Sequence, residues 1–158
     1  MTLFTALPVR PGVFSLILLA GLISPLPAAD LDDEKDLADQ IAARFSPEEI
    51  VRLDVSGIPF QGLYRDSSLK NRHGAVIILH GRKSNQDAAE LIHPLRAELP
   101  THGWATLSIS LPLAETNAES ENFSSLLPES VGRLRAAVTY LKQKEIDYIA
   151  LVLSLIHI

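Results

Sequence analysis

The chain has no cysteine, and its 158 residues include one tryptophan and one methionine. The absence of cysteine excludes disulfide bonds, thiol chemistry and a lipidated N-terminal cysteine. A protein without disulfides depends on its hydrophobic core for stability, and about 130 residues are enough to bury one such core. The length therefore predicts a single domain after any N-terminal leader.

Charge is almost absent from residues 1–29, where Arg10 is the one charged side chain. The apolar run Val13–Ile23 has the length of a signal-peptide core and is short for a membrane span. Small residues at Ala28 and Ala29 precede an acidic stretch. We therefore predict that residues 1–29 are a signal peptide and that the mature protein is periplasmic or secreted, with no stable membrane span. An uncleaved membrane anchor remains the alternative.

Basic residues are too few and too scattered to form a stripe. Removing Arg10 from the 14 basic residues leaves 13 against 19 acidic ones, a formal charge of −6. This balance argues against a nucleic-acid partner. His73, His93 and His102 are not spaced as metal ligands with carboxylates on one helix face. The sequence thus predicts no metal site and no cofactor, and it does not indicate an oligomeric state.

Apolar periodicity in the first half of the chain predicts one helix and three strands. Residues 32–45 have helical spacing, with acidic residues in the first turn. Residues 50–55 and 59–64 alternate around Ser56-Gly57, which predicts an antiparallel hairpin. Five apolar residues, Ala75–Leu79, predict a strand buried on both faces, as is typical of parallel sheets.

The next segment predicts a helix and a strand. Ser84 and Asp87 resemble a capping box before a helix over residues 88–99. Pro94 lies inside this helix and predicts a kink or a restart there. Residues 104–111 alternate as a strand.

The last segment predicts a loop, a helix and a strand. Residues 113–128 are polar and predict a long surface connection. Residues 129–144 predict an amphipathic helix, whose apolar face carries Val131, Leu134, Val138 and Leu141. Residues 148–152 predict another buried strand. The whole order predicts an α/β fold in which an antiparallel hairpin precedes parallel strands with flanking helices.

The buried strand at residues 75–79 runs into His80-Gly81-Arg82. Open α/β sheets bind their ligands at the carboxyl ends of the strands, so this loop is a candidate site. Gly81 allows a sharp turn and a close approach to the main chain. The amide of Arg82 or Lys83 would then be placed to stabilise an oxyanion. The alternative is an ordinary turn with two solvated cations.

Several motifs together resemble a known superfamily. They are Phe60-Gln-Gly-Leu-Tyr-Arg65, Val76-Ile-Ile-Leu-His-Gly-Arg82, His102-Gly-Trp-Ala-Thr-Leu-Ser-Ile-Ser-Leu-Pro112 and Arg133-Leu-Arg-Ala-Ala-Val-Thr-Tyr-Leu141. His-Gly after a buried strand is similar to the arrangement in α/β-hydrolases. The set resembles an exported, uncharacterised Gram-negative family of that superfamily. The resemblance implies the N-terminal part of an α/β-hydrolase-like sheet and hydrolysis of an ester, thioester or amide.

The resemblance also implies roles for particular residues. His80, Gly81 and Arg82 would form the oxyanion loop, and the substrate would be a small-molecule or lipid-like acyl compound. The nucleophile of this superfamily lies in a Gly-x-Ser-x-Gly elbow after a strand, followed by an acid and a histidine. Residues 148–152 have the character of that strand, but no glycine follows them. Ser154 and His157 lack the expected order, so we predict no catalytic residue within the chain.

The final six residues, Leu153–Ile158, resemble the translation of a transposon-type sequencing adapter. We therefore predict that residues 153–158 are a non-native tail and that residues 30–152 are a partial α/β-hydrolase-like domain. A genuine apolar strand end is the alternative. A non-catalytic envelope binding or interaction module on the same fold remains the second functional hypothesis, because a fold does not determine a function.

Overall fold

The computed structural model describes residues 31–81, 84–113 and 123–154. Four helical segments and five strands occur in these ranges. In chain order they are α1 (Leu31–Ala42), β1 (Ile50–Val55), β2 (Ile58–Arg65), β3 (Gly74–Leu79), α2 (Ile92–Glu98), a 3-10 turn (Leu99–His102), β4 (Trp104–Ile109), α3 (Phe123–Gln143) and β5 (Ile149–Leu153). No helix among the described residues is long and apolar enough to cross a membrane.

The five strands form one mixed sheet in the order β1-β2-β4-β3-β5. The pairs β1–β2 and β2–β4 are antiparallel, whereas β3 pairs in parallel with both β4 and β5. Ser56 and Gly57 form the two-residue hairpin turn, and both have positive φ angles, of 54° and 87°. The predicted α/β architecture, with an antiparallel hairpin before parallel strands, is confirmed.

The core lies on both faces of the sheet. On one face α3 packs Ala137 and Leu141 against Ile77, Leu107 and other buried strand residues. On the opposite face, Ile92 of α2 packs against Val76 and Ile78. Every residue of β3 is buried, as the unbroken apolar run predicted.

The capping box predicted at Ser84 and Asp87 is wrong. The helix begins at Ile92, and Leu91 at its N-cap makes no side-chain capping hydrogen bond. The carboxylate of Asp87 instead accepts a hydrogen bond from Arg96 Nη1 at 2.8 Å. Pro94 consequently lies in the first turn of α2. The backbone N–H groups of a first turn have no hydrogen-bond partner within the helix, so the missing N–H of proline causes no kink or restart there.

The start of α3 also differs from the prediction, because the helix begins at Phe123 instead of Glu129 and includes Pro128. A proline this close to a helix start removes one backbone hydrogen bond. Burial of Leu126 in the added turns opposes that loss. Of the predicted loop over residues 113–128, residues 114–122 lie outside the described part.

The prediction that the last strand is buried is wrong. Leu151 and Leu153 of β5 are 52% and 49% exposed. The reason is that β5 pairs with β3 on one side, and no described element covers these two side chains.

Candidate functional site

The parallel strands β3, β4 and β5 end together at one side of the sheet. Leu79 is in register with both Ile109 and Leu153, the last residues of β4 and β5. We call the residues that directly follow these three ends, His80, Ser110 and Ser154, the carboxyl edge. This is the side on which open α/β sheets place their ligands.

The His80 side chain is buried at the carboxyl edge, and both of its ring nitrogens are bonded. Nε2 accepts a hydrogen bond from the Leu111 amide at 2.9 Å. Nδ1 lies 2.9 Å from the Gly81 carbonyl oxygen. Because Nε2 is an acceptor, the proton is assigned to Nδ1, which donates to Gly81.

Burial lowers the pKa of His80 below its ordinary value of 6.5. The bond to Gly81 and the negative charge of Glu34 act in the opposite direction, while the positive charge of Arg133 adds to the lowering. A neutral imidazole with both nitrogens occupied has no free site for proton transfer. His80 is therefore placed to hold the loop, not to act as a general base.

Of the three residues predicted to form an oxyanion loop, the structure places two. His80 lies at the end of β3, and Gly81, held by the His80 ring, is half-buried. Arg82 lies outside the described residues, as does its neighbour Lys83. The oxyanion role of the three residues stays a prediction.

Ser154 is buried, and its amide donates to the Leu79 carbonyl at 2.9 Å, which extends the β5 ladder by one residue. His157 lies outside the described residues, and so does the rest of the predicted tail after Ser154. Among the described residues, no three His, Asp or Glu side chains come together as a group that could hold a metal ion.

A buried ionic cluster next to the carboxyl edge was missed by sequence reasoning. Arg133 of α3 is fully buried and pairs through both terminal nitrogens with the carboxylate of Glu34 in α1. Its Nη2 also donates to Glu129 at 2.6 Å, and its Nη1 to the Ser110 carbonyl at 3.2 Å. The Ser110 hydroxyl donates to Glu34 at 3.2 Å. These four residues form what we call the Arg133 cluster.

The helical spacing of α3 held a signal for this cluster. Arg133, Ala137 and Leu141 follow one another at intervals of four and are fully buried, whereas Val131 is 40% exposed. The buried face of α3 is therefore rotated from the predicted face that included Val131. A charged residue in line with Ala137 and Leu141 was the sign of a buried ion pair.

A second buried cluster is centred on Arg96 in the last turn of α2. Arg96, itself buried, donates to Asp87 at 2.8 Å and to Glu49 at 3.3 Å. Its guanidinium carbon lies 4.7 Å above the ring centre of Phe45. This Arg96 cluster shares no residue with the Arg133 cluster, and within the described part of the chain Arg96 makes no hydrogen bond to His80, Ser110 or Ser154.

Residues 20–132 match the profile of a protein family described as of unknown function, DUF3530. The chain belongs to this family. The match spans more than half of the chain and includes the loop at His80. No curated protein sequence shows a significant match to this DUF3530 chain.

Solved structures show which fold this DUF3530 chain has. Est1E from Butyrivibrio proteoclasticus superposes with a TM-score of 0.52 at 18% identity, over 66% of this chain and 40% of that one. The Pf2001 esterase of Pyrococcus furiosus superposes with a TM-score of 0.53 at 18% identity, and the match covers 69% of this chain and 44% of the esterase. An α-β serine hydrolase homologue from Coxiella burnetii superposes with a TM-score of 0.51 at 13% identity, and the match covers 69% of this chain and 52% of that homologue.

The chain thus spans between two fifths and about half of the length of these structures. At such identities the likeness establishes the fold alone, which is that of the α/β hydrolases. The fold predicted from the His-Gly motif is confirmed.

Proposed function

We propose that the full-length protein is an exported serine-type acyl hydrolase that cleaves an ester, thioester or amide. His80, Gly81 and Arg82 form its oxyanion loop, and the nucleophile, acid and histidine lie beyond Val152. The α/β-hydrolase fold and the position of His80 and Gly81 directly after the carboxyl end of β3 support the proposal.

The observation that carries the proposal is the hydrogen bond from His80 Nδ1 to the Gly81 carbonyl. Peptide units are planar, so a hydrogen bond to a carbonyl restricts the orientation of the whole peptide unit to which that carbonyl belongs. An oxyanion donor must be oriented before the reaction begins. His80 would provide that orientation without taking part in proton transfer.

The test requires the complete reading frame, recovered from genomic DNA and expressed as the mature protein. We expect turnover of p-nitrophenyl acetate or butyrate and labelling by a fluorophosphonate probe. Arg82→Pro removes the backbone N–H and should lower kcat by about 10²- to 10³-fold. Arg82→Ala keeps that N–H and is the matched control, which should retain most of the activity.

If Arg82→Ala loses as much activity as Arg82→Pro, the side chain and not the amide acts on the substrate. Thermal unfolding of both variants checks that the proline has not unfolded the protein. N-terminal sequencing of periplasmic material should give a start near Asp30, after cleavage near Ala28 or Ala29. Retention of residues 1–29 in a membrane fraction would contradict cleavage of the signal peptide.

A non-catalytic binding module on the same fold is the second candidate. It stays open because the α/β-hydrolase fold by itself does not require catalysis. Two results would support this reading. The complete frame would lack a Gly-x-Ser-x-Gly elbow with a later acid and histidine, and the protein would resist fluorophosphonate labelling.

A further inference from the structure

We propose that Arg133 and Glu34 are positioning residues that set the His80-Gly81 loop through the segment Ser110-Leu111. The inference deepens the proposed function and rests on it for its consequence in catalysis. The geometric part concerns the bonding state of His80 and can be tested without activity.

A continuous path of hydrogen bonds joins Arg133 to Gly81. Arg133 Nη1 donates to the Ser110 carbonyl at 3.2 Å, and the next residue, Leu111, donates its amide to His80 Nε2 at 2.9 Å. The other ring nitrogen of His80 then bonds the Gly81 carbonyl. Each step is a bond to the main chain, so a shift of the guanidinium displaces the backbone that the imidazole contacts.

Four hydrogen bonds to Ser110 fix the segment directly after β4. Its amide donates to the Gln61 carbonyl at 2.9 Å, and its carbonyl accepts from Arg133. Its hydroxyl donates to Glu34 and accepts from Arg133 Nη1 at 3.4 Å. Leu111 follows with no further strand pairing, because the β4 ladder to β3 ends at Ile109. The direction of the Leu111 N–H is therefore set by how Ser110 is held.

The energetics favour a positioning role over general stabilisation. A buried ion pair loses the hydration of both charges, and well-packed apolar residues of similar volume often stabilise a fold equally well or better. The Arg133 guanidinium is held from three sides, by Glu34 in α1, Glu129 in α3 and Ser110 after β4, and it lies 5.1 Å above the Phe60 ring. A guanidinium that donates through both terminal nitrogens in this way holds its partners in one relative geometry.

The Arg96 cluster supplies the matched control. Arg96 is buried to a similar degree and pairs with two carboxylates, yet it belongs to α2 and is not bonded to Ser110, Leu111 or His80. Arg133→Met and Arg96→Met therefore remove comparable ion pairs. In the full-length mature protein we expect both to change the free energy of unfolding, but only Arg133→Met to alter the loop.

The first measurement is ¹⁵N NMR of the histidine ring nitrogens, with the His80 signals assigned by their loss in His80→Gln. Wild type should show a single neutral tautomer protonated at Nδ1. Arg133→Met and Glu34→Gln should move His80 towards a mixture of tautomers, while Arg96→Met leaves it unchanged. Glu34→Gln keeps the shape of the side chain, and it provides the same test of the His80 tautomer if Arg133→Met does not fold.

The second measurement is kcat against KM on the ester substrate. We expect Arg133→Met to lower kcat by about tenfold to a hundredfold with little change in KM. The reason is that the oxyanion donors of the His80-Gly81 loop would be displaced from the position that the reaction requires. Arg133→Lys keeps the charge without the paired terminal nitrogens and should restore only part of kcat. Unchanged His80 signals in both Arg133→Met and Glu34→Gln would overturn the positioning role. Absence of turnover in wild type would refute the proposed function alone, because the NMR result stands without it.

Discussion

At the scale of single residues, the loop at the carboxyl edge depends on a neutral histidine. A proton added to Nε2 of His80 would face the Leu111 amide, so the hydrogen bond between them exists only in the neutral form. The same residue that marks the motif in the sequence is thus a structural part of the loop. Burial lowers the pKa of His80 and so favours this neutral form.

This shift predicts how stability depends on pH. The pKa of His80 is lower in the folded state than the ordinary 6.5, so the unfolded chain binds more protons between the two values. The free energy of unfolding should therefore fall as the pH is lowered from about 6.5 and be unaffected by this group at higher pH.

Urea unfolding of the mature protein between about pH 5 and pH 8 measures this dependence. His80→Gln, which does not titrate in that range, should give a flatter curve than wild type. Identical slopes for the two proteins would show that His80 is not held in its neutral form by the fold.

At the scale of helices and strands, α3 is followed by a left-handed residue that is not glycine. Glu145 has a φ of 59°, and the Ile146 amide bonds the Leu141 carbonyl at 3.2 Å, the pattern of a Schellman motif. A side chain in this conformation costs roughly 1 kcal/mol, which glycine avoids.

Glu145→Gly should therefore raise the free energy of unfolding by up to about 1 kcal/mol, a gain reduced by the greater freedom of glycine in the unfolded chain. Gln143→Gly is the matched control. It places glycine at the last residue of α3 and should lower stability by up to about 1 kcal/mol. Chemical denaturation of the three proteins checks both signs, and a loss of stability in Glu145→Gly would contradict the expected strain relief.

Elements were predictable where their signals are local. The hairpin follows from Ser56-Gly57 between two alternating strands, and β3 follows from an unbroken apolar run. The start of α2 was not predictable, because Asp87 has the residue type and spacing of a cap but is bonded to Arg96 in the core. A long-range ion pair replaced a local cap.

At the scale of the whole molecule, the described sheet carries an apolar surface on β5. Leu151 and Leu153 are about half exposed, although both belong to a sequence with the character of a buried strand. A face of this kind favours association between copies of the chain.

We expect Leu151→Lys to increase the solubility of the 158-residue chain and to cost little stability, because the Leu151 side chain is exposed. Val152→Lys on the same strand is the control. Val152 packs against the Val76–Ile78 core, so its substitution should destabilise the protein. Sedimentation and urea unfolding measure the two effects.

The comparison should then be repeated in the complete reading frame. If further chain covers this face there, Leu151→Lys becomes destabilising by about 2 kcal/mol or more. An equal tolerance of Leu151→Lys in both lengths would show that the face remains exposed in the longer protein.

Periodicity and turn residues act over a few neighbouring positions, so the fold class and the position of the His-Gly loop could be predicted from them. How that loop is held depends on contacts between distant parts of the chain. Glu34 and Arg133 are 99 residues apart, and no local pattern pairs them. The two side chains form an ion pair because α1 and α3 pack around the end of β4. Buried charges are shielded from water, so each of them depends on an oppositely charged partner within the fold.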